Sequence, residues 1–235
     1  MALNDWILRM RKTTDYYVIY DKYFRSSKSA LRRSRSKYSS IRGNAISPYD
    51  SLIQDAADEL GWDWLLLAAQ VFRESKFDEN SESWAGAIGL MQVMPRTGRE
   101  YGVTDLYDPV QNIYAGMKHI MWLQRQWEKK ISDEDERLKF VLASYNVGLG
   151  HLQDAVRLTE KYGGNPKSWQ DVSQFLLKKS RSKYFNDPVV QYGYCRGSEP
   201  VEYVDRILDI YQNYKEILQS EEETETADGQ NDPSS

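Results

Sequence analysis

The chain has 235 residues, 40% hydrophobic and 13% aromatic, and a formal net charge of -4. That is enough apolar material for one large domain or two small ones, and no apolar run approaches the roughly 18 residues that a membrane span needs. One cysteine, Cys195, excludes an internal disulfide, and two isolated histidines, His119 and His151, argue against a metal site. The charge is graded along the chain. Residues 1–47 carry eleven Lys and Arg against three Asp, whereas residues 220–235 carry six acids and no base.

The first residues, Met1 to Trp6, show no basic segment followed by an apolar stretch, so no signal peptide is read there. An aromatic run follows, Tyr16-Tyr17-Val18-Ile19-Tyr20, with Tyr17–Tyr20 the one candidate strand. Residues 26–46 are rich in Ser, Arg and Lys and read as a solvated linker. A basic arm of this kind could touch nucleic acid, but no nucleic-acid motif accompanies it, and the expectation is no nucleic-acid partner.

Ser47-Pro48-Tyr49-Asp50 predicts a helix start, with Ser47 as cap and Pro48 in the first position. Leu52, Ile53, Ala56, Ala57 and Leu60 then repeat on one face until Gly61 stops the helix. A second helix from about Asp63 is apolar nearly all round and should be the core helix. It ends on Glu74. A carboxylate on the last turn of a buried helix loses water, which disfavours its charged form and raises its pKa. A general acid requires that property; a helix-end Glu that points to solvent is the plain alternative.

Residues 76–106 are expected to be loop with short helical pieces, around the small-residue turn Ala85-Gly86-Ala87-Ile88-Gly89 and a helical piece near Thr97. Within it Met91 can be a gap filler and Gln92 a satisfier of loop backbone. Asp108-Pro109 starts a helix with Val110, Ile113, Met117, Ile120, Met121 and Trp127 inward. Ser132 to Asp135 opens another, with Leu138, Val141, Leu142 and Tyr145 inward, ending at Tyr145-Asn146 before Gly148 and Gly150. On residue type alone, that end is a core Tyr and an Asn helix stop. A short helix is read from His151 to Tyr162, a turn at Gly163-Gly164-Asn165-Pro166, and a further helical pair around Trp169, Val172, Phe175 and Leu176. Residues 178–198 read as irregular. A final helix from about Glu199 to Leu218 has Val201, Val204, Ile207, Leu208, Tyr211 and Tyr214 inward, and the acidic tail 220–235 is expected to be disordered. The class is all-α.

Three short motifs now stand in order: Glu74-Ser75, Gly89-Leu90-Met91-Gln92 and Ser144-Tyr145-Asn146, with Gly148 and Gly150-His151 behind the third. Together they resemble the signatures of the lytic murein transglycosylases of the lysozyme-like superfamily, the membrane-bound F type most of all. Ser144 departs from the pattern, where the family usually has Ala. The resemblance implies an all-α, lysozyme-like (SLT-type) helical domain with a cleft over residues 47–219. Residues 1–46 would be a basic segment and linker, a short remnant of the solute-binding domain that precedes it in such relatives.

The resemblance also implies the chemistry. The enzyme would cleave the β-1,4 bond between N-acetylmuramic acid and N-acetylglucosamine in peptidoglycan and leave 1,6-anhydromuramic ends, with no cofactor and no metal. Glu74 would be the catalytic acid and then base. Ser75 would hydrogen-bond near it and near the substrate, and Met91 and Gln92 would shape the sugar subsites. Tyr145 would orient Glu74, Asn146 would hold the muramoyl N-acetyl group, and Tyr203 would be a cleft tyrosine, for which a packed helix residue is the alternative. Most glycosidases use two carboxylates; Asp78 and Glu79, near in sequence, read as solvated charges. The rival readings are a lysozyme-type hydrolase and a non-catalytic peptidoglycan-binding module. The implied setting is periplasmic, peripheral to the outer membrane, as a monomer without a transmembrane segment.

Overall fold

The computed structural model describes residues 45–228, with side chains described through 219. The candidate strand at Tyr17–Tyr20, the rest of the 1–46 segment short of residue 45, and residues 229–235 lie outside the described residues. The chain between Tyr49 and Glu216 forms one compact unit. The described residues are helical, with two isolated bridges, Glu82 to Ile88 and Ile88 to Val93, as the extended pairing.

In chain order the helices are α1 (Asp50–Leu60), α2 (Trp64–Ser75), α3 (Pro95–Glu100), α4 (Pro109–Glu128), α5 (Glu134–Val147), α6 (Leu149–Lys161), α7 (Trp169–Lys178), α8 (Ser182–Phe185) and α9 (Ser198–Asp228). The long helix α4 packs against α1, α3 and α5; α5 then packs on α6, and α6 on α7. Trp127 of α4 meets Phe140 of α5 edge-on at 5.1 Å, and Phe140 meets Trp169 of α7 at 5.9 Å. These three rings join the successive helix pairs through large apolar area.

Helix α2 forms for reasons visible in its sequence. Asp63 caps it by accepting a hydrogen bond from the Leu65 amide at 2.9 Å. Leu65 to Val71 are all buried, so the helix is surrounded by protein. Lys76 ends it in the left-handed conformation, φ 59°, and Phe77 follows at φ 63°. Neither is glycine, so the chain bends sharply and at some cost just after Glu74. Gly61 closes α1 as expected, at φ 67°.

Three expectations are corrected. Helix α1 starts at Asp50 with Tyr49 at the cap, not with Ser47 capping and Pro48 in the first turn. Those two residues precede the helix, and the Tyr49 side chain is instead drawn to Glu79, to which its hydroxyl donates at 2.6 Å. Val110 points outward, 56% exposed, and the inward face of α4 begins at Asn112 and Ile113. The final helix runs to Asp228, past the expected end at Leu218 and into the stretch expected to be disordered. Glu is a good helix former, and a Glu-rich run at a helix end continues the hydrogen-bond ladder readily.

Candidate active site

Glu74 sits on the last turn of α2, and its side chain keeps some contact with solvent. Its carboxyl group is nonetheless enclosed by protein, and burial pushes its pKa from 4.5 up to about 7. The Tyr203 hydroxyl and the charges of Arg73 and Lys76 pull the other way and lose to desolvation. Tyr203, from the first turns of α9, donates its hydroxyl to Glu74 Oε1 at 2.5 Å. It is 1% exposed, and the Arg73 guanidinium lies 5.6 Å from its ring centre. Gln70, one turn before Glu74, donates from Nε2 to the same hydroxyl at 3.3 Å. A carboxyl that is half protonated near neutral pH and held on one oxygen can donate a proton and take one back.

The Gly-Leu-Met-Gln motif is linked to this group through Tyr145, which bonds the Met91 carbonyl and feels the Glu74 charge. Leu90 and Met91 are fully buried. The Met91 amide donates to Asn112 Oδ1 at 2.8 Å, while Asn112 Nδ2 donates to the Ile88 carbonyl at 2.8 Å and the Leu106 carbonyl at 2.7 Å. Asn112 therefore ties both ends of the loop to α4. Gly89 is obligatory here: its φ is +78°, and a Cβ would lie 2.2 Å from Asn112 Nδ2. Gly116 of α4 leaves room for Met91, whose sulfur a Cβ there would meet at 2.4 Å.

The structure brings the expected site residues together unevenly. Tyr203 holds Glu74 directly. Tyr145 lies close enough for the Glu74 charge to act on it, but its hydroxyl donates to the Met91 carbonyl at 2.8 Å rather than to Glu74. It is thus Tyr203 and not Tyr145 that bonds Glu74, and Tyr145 couples α5 to the loop. Ser75 is buried and its hydroxyl donates back to the Val71 carbonyl at 3.3 Å, so it bonds within its own helix. Met91 is a buried wedge rather than a surface. Gln92, at φ +49°, donates to the carbonyls of Ser81 and Gly89 at 3.0 and 3.1 Å and holds the turn shut. Asn146 is exposed on the last turn of α5. Asp78 and Glu79 take part elsewhere: Asp78 accepts from the Asn80 amide and Glu79 from Tyr49.

Sequence reasoning missed Gln70 and Asn112. Each is a polar residue at a core position of a helix, Gln70 in an otherwise apolar run and Asn112 beside Ile113, and that mismatch was the available signal.

A second polar centre joins the middle of α6 to the end of α7. Asp154 and Lys179 are both fully buried and paired at 2.6 Å. Asp154 also accepts from Arg157 and from the amides of Gln191 and Tyr192 at 2.8 and 2.9 Å. Lys179 in turn contacts His151 Nδ1 at 2.9 Å. The cluster pins the loop that leads into α9, and so into Tyr203.

Residues 51–167 match the Transglycosylase SLT domain, and the chain belongs to that family. Among its relatives are proteins named membrane-bound lytic murein transglycosylase F. That of Desulfosudis oleivorans is 34% identical over 214 residues, covering 91% of this chain and 46% of the relative. That of Stutzerimonas stutzeri is 40% identical over 163 residues, covering 69% and 33%. The chain therefore spans less than half the length of these relatives. The fold is that of the lytic transglycosylase Slt of Pseudomonas aeruginosa, solved as an inactive mutant, with a TM-score of 0.54 at 18% identity over 93% of this chain and 33% of that one. The 70 kDa soluble lytic transglycosylase of Escherichia coli gives 0.50 at 20% identity over 72% and 24%.

Proposed function

We propose that this chain is a peptidoglycan lytic transglycosylase that cleaves between N-acetylmuramic acid and N-acetylglucosamine. The observation that carries the reading is Glu74, with a pKa of about 7 and one oxygen held by Tyr203. Among the described residues, the charges that shift it are those of Arg73 and Lys76, and none of them is a carboxylate. A hydrolase of the two-carboxylate type needs a partner acid across the bond. A transglycosylase does not, because the nucleophile is the substrate's own C6 hydroxyl.

The steps balance on one residue. Neutral Glu74 gives its proton to the glycosidic oxygen as the bond to C1 breaks. The C6 hydroxyl oxygen bonds to C1, and its proton passes to the Glu74 carboxylate. The enzyme regains its starting state, and no water is consumed. The intramolecular attack carries an effective molarity on the order of 10⁵ M or more when aligned. Asn146, exposed and next to Tyr145, would meet the N-acetyl group, while Gln92, Met91, Ser75 and Tyr145 would act on the substrate through the backbone they hold in place.

The compact unit Tyr49–Glu216 supports a catalytic domain over about residues 47–219, flanked by a basic segment and an acidic tail. No helix among the described residues is long and apolar enough to cross a membrane. The relatives' names place them at a membrane, and the substrate supports a periplasmic site of action at the outer membrane's periphery, as a monomer. The test is digestion of purified sacculi followed by mass spectrometry. Anhydromuropeptides are expected; products heavier by one water would identify a hydrolase, and retained binding without products a glycan-binding module.

A further inference from the structure

Gln70 and Glu74 are four residues apart on α2 and share one face, and the Tyr203 hydroxyl is inserted between them. Gln70 is 0% exposed, and its Oε1 has no hydrogen-bond partner among the described residues. A polar side chain in an apolar helix with one half unsatisfied is costly to keep. An apolar residue of the same size would fill the space at less cost, so the other half of the amide must serve something besides stability.

We propose that Gln70 is a positioning residue that makes Tyr203 an obligatory donor to Glu74 Oε1 and so confines the catalytic proton to Oε2. This rests on the transglycosylase reading of Glu74. A phenol has one hydrogen and can either donate to a carboxyl or accept from it. With the Gln70 N–H directed at the phenolic oxygen, the hydroxyl hydrogen is left to Glu74 Oε1. Protonated Glu74 then carries its proton on Oε2, the oxygen that Tyr203 does not hold. Without the Gln70 donor the phenol can turn and accept from Oε1–H. The proton is then parked between two protein groups, away from the glycan. Burial of Tyr203 keeps water from substituting for the lost amide.

The experiment is a double-mutant cycle with Gln70→Met, Tyr203→Phe and both together, measured on sacculi across pH. Methionine matches the glutamine in length and leaves no unsatisfied acceptor, so the melting temperature should hold or rise. In the Tyr203 background Gln70→Met should lower kcat about tenfold with KM little changed. The alkaline limb of the pH profile should move upward, because the carboxylate loses support. In the Tyr203→Phe background the same substitution should do nothing, since its effect passes through the hydroxyl. Equal losses in both backgrounds overturn the proposal. A ¹³C NMR titration of the Glu74 carboxyl reads the coupling without turnover. Gln70→Met should raise that pKa only where Tyr203 is present, and an unchanged pKa also overturns the proposal. An inactive wild-type protein that still shows the coupling would sink the transglycosylase reading, not the hydrogen-bond chain. Gln70→Leu serves as the second variant. It also removes the N–H donor and leaves no acceptor, so it should reproduce the loss in kcat and the upward pH shift of Gln70→Met, and a wild-type pH profile in it overturns the proposal.

Discussion

Tyr203 and Glu74, 129 residues apart in the chain, are joined by a hydrogen bond of 2.5 Å. The bond lowers the Glu74 pKa against a larger upward push from burial. Tyr203→Phe removes the donor and keeps the ring against Arg73. The Glu74 pKa should then rise, and the alkaline limb of kcat/KM should move to higher pH. Activity at the optimum should fall roughly ten- to a hundredfold, because the carboxyl loses its fixed orientation. Initial rates on sacculi between pH 5 and 9 check both.

Glu74 itself should cost stability above neutral pH. Its folded pKa, about 7, lies above its unfolded value, so the folded state binds the extra proton. The stabilising contribution is full below about pH 4.5 and is lost as pH rises through 7. Glu74→Gln is neutral at every pH and should abolish turnover by at least about a thousandfold. It should also stabilise the fold at pH 8 by up to about 3 kcal/mol, with a smaller gain at pH 5. Thermal melts at the two pH values, beside the activity assay, separate the two effects.

Much of this site was legible because its physics is local. An apolar run ending in a carboxylate, Leu65 to Glu74, states burial and a raised pKa without any knowledge of the fold. Helix starts at Asp63, Asp108 and Asp133 were legible for the same reason, since the cap and its amide are two or three residues apart. What failed was side-chain direction over long range. Tyr145 was expected to orient Glu74 and Tyr203 to line the cleft or pack in its helix, and only packing decides that Tyr203 reaches Glu74 while Tyr145 reaches the Met91 carbonyl. Ser75 was read toward the substrate, although a serine inside a helix can bond its own preceding turn. Asn112 was passed over because its partners lie in a loop 6 to 24 residues away.

Asn112 should matter more to folding than its residue type suggests. Asn112→Ala removes three hydrogen bonds at once and leaves the Met91 amide and the Ile88 and Leu106 carbonyls without it. A loss of about 3–5 kcal/mol is expected, with the 88–106 loop exchanging amide hydrogens first. Asn112→Asp keeps the acceptor for Met91 and loses both donors, so it should fall near Ala at neutral pH. Hydrogen exchange and urea melts report the two variants.

The buried pair between α6 and the end of α7 makes an asymmetric prediction. Asp154→Ala strands the buried Lys179 and frees the Gln191 and Tyr192 amides, whereas Lys179→Met leaves Asp154 with Arg157 and both amides. Asp154→Ala should therefore cost about 3–5 kcal/mol and Lys179→Met clearly less. Because the pinned loop leads into α9, Asp154→Ala should also loosen the Tyr203–Glu74 bond and move the alkaline activity limb upward. Denaturant melts and the pH profile of each variant give the comparison.

Ser144 lies in the core, and its hydroxyl is not idle. It is 1% exposed and accepts from the Trp127 indole Nε1 at 2.9 Å. Trp127 is itself buried between α4 and α5, against Phe140. Ser144→Ala would leave a buried indole N–H without its acceptor. The expected cost is about 1–2 kcal/mol, with no change in kcat or in the pH profile, since this bond joins α4 to α5 and involves neither Glu74 nor Tyr203. Ser144→Ala combined with Trp127→Phe, which has no N–H to strand, should therefore recover part of the loss. A double-mutant cycle in urea measures that recovery, and strictly additive losses would show that the hydroxyl and the indole act independently.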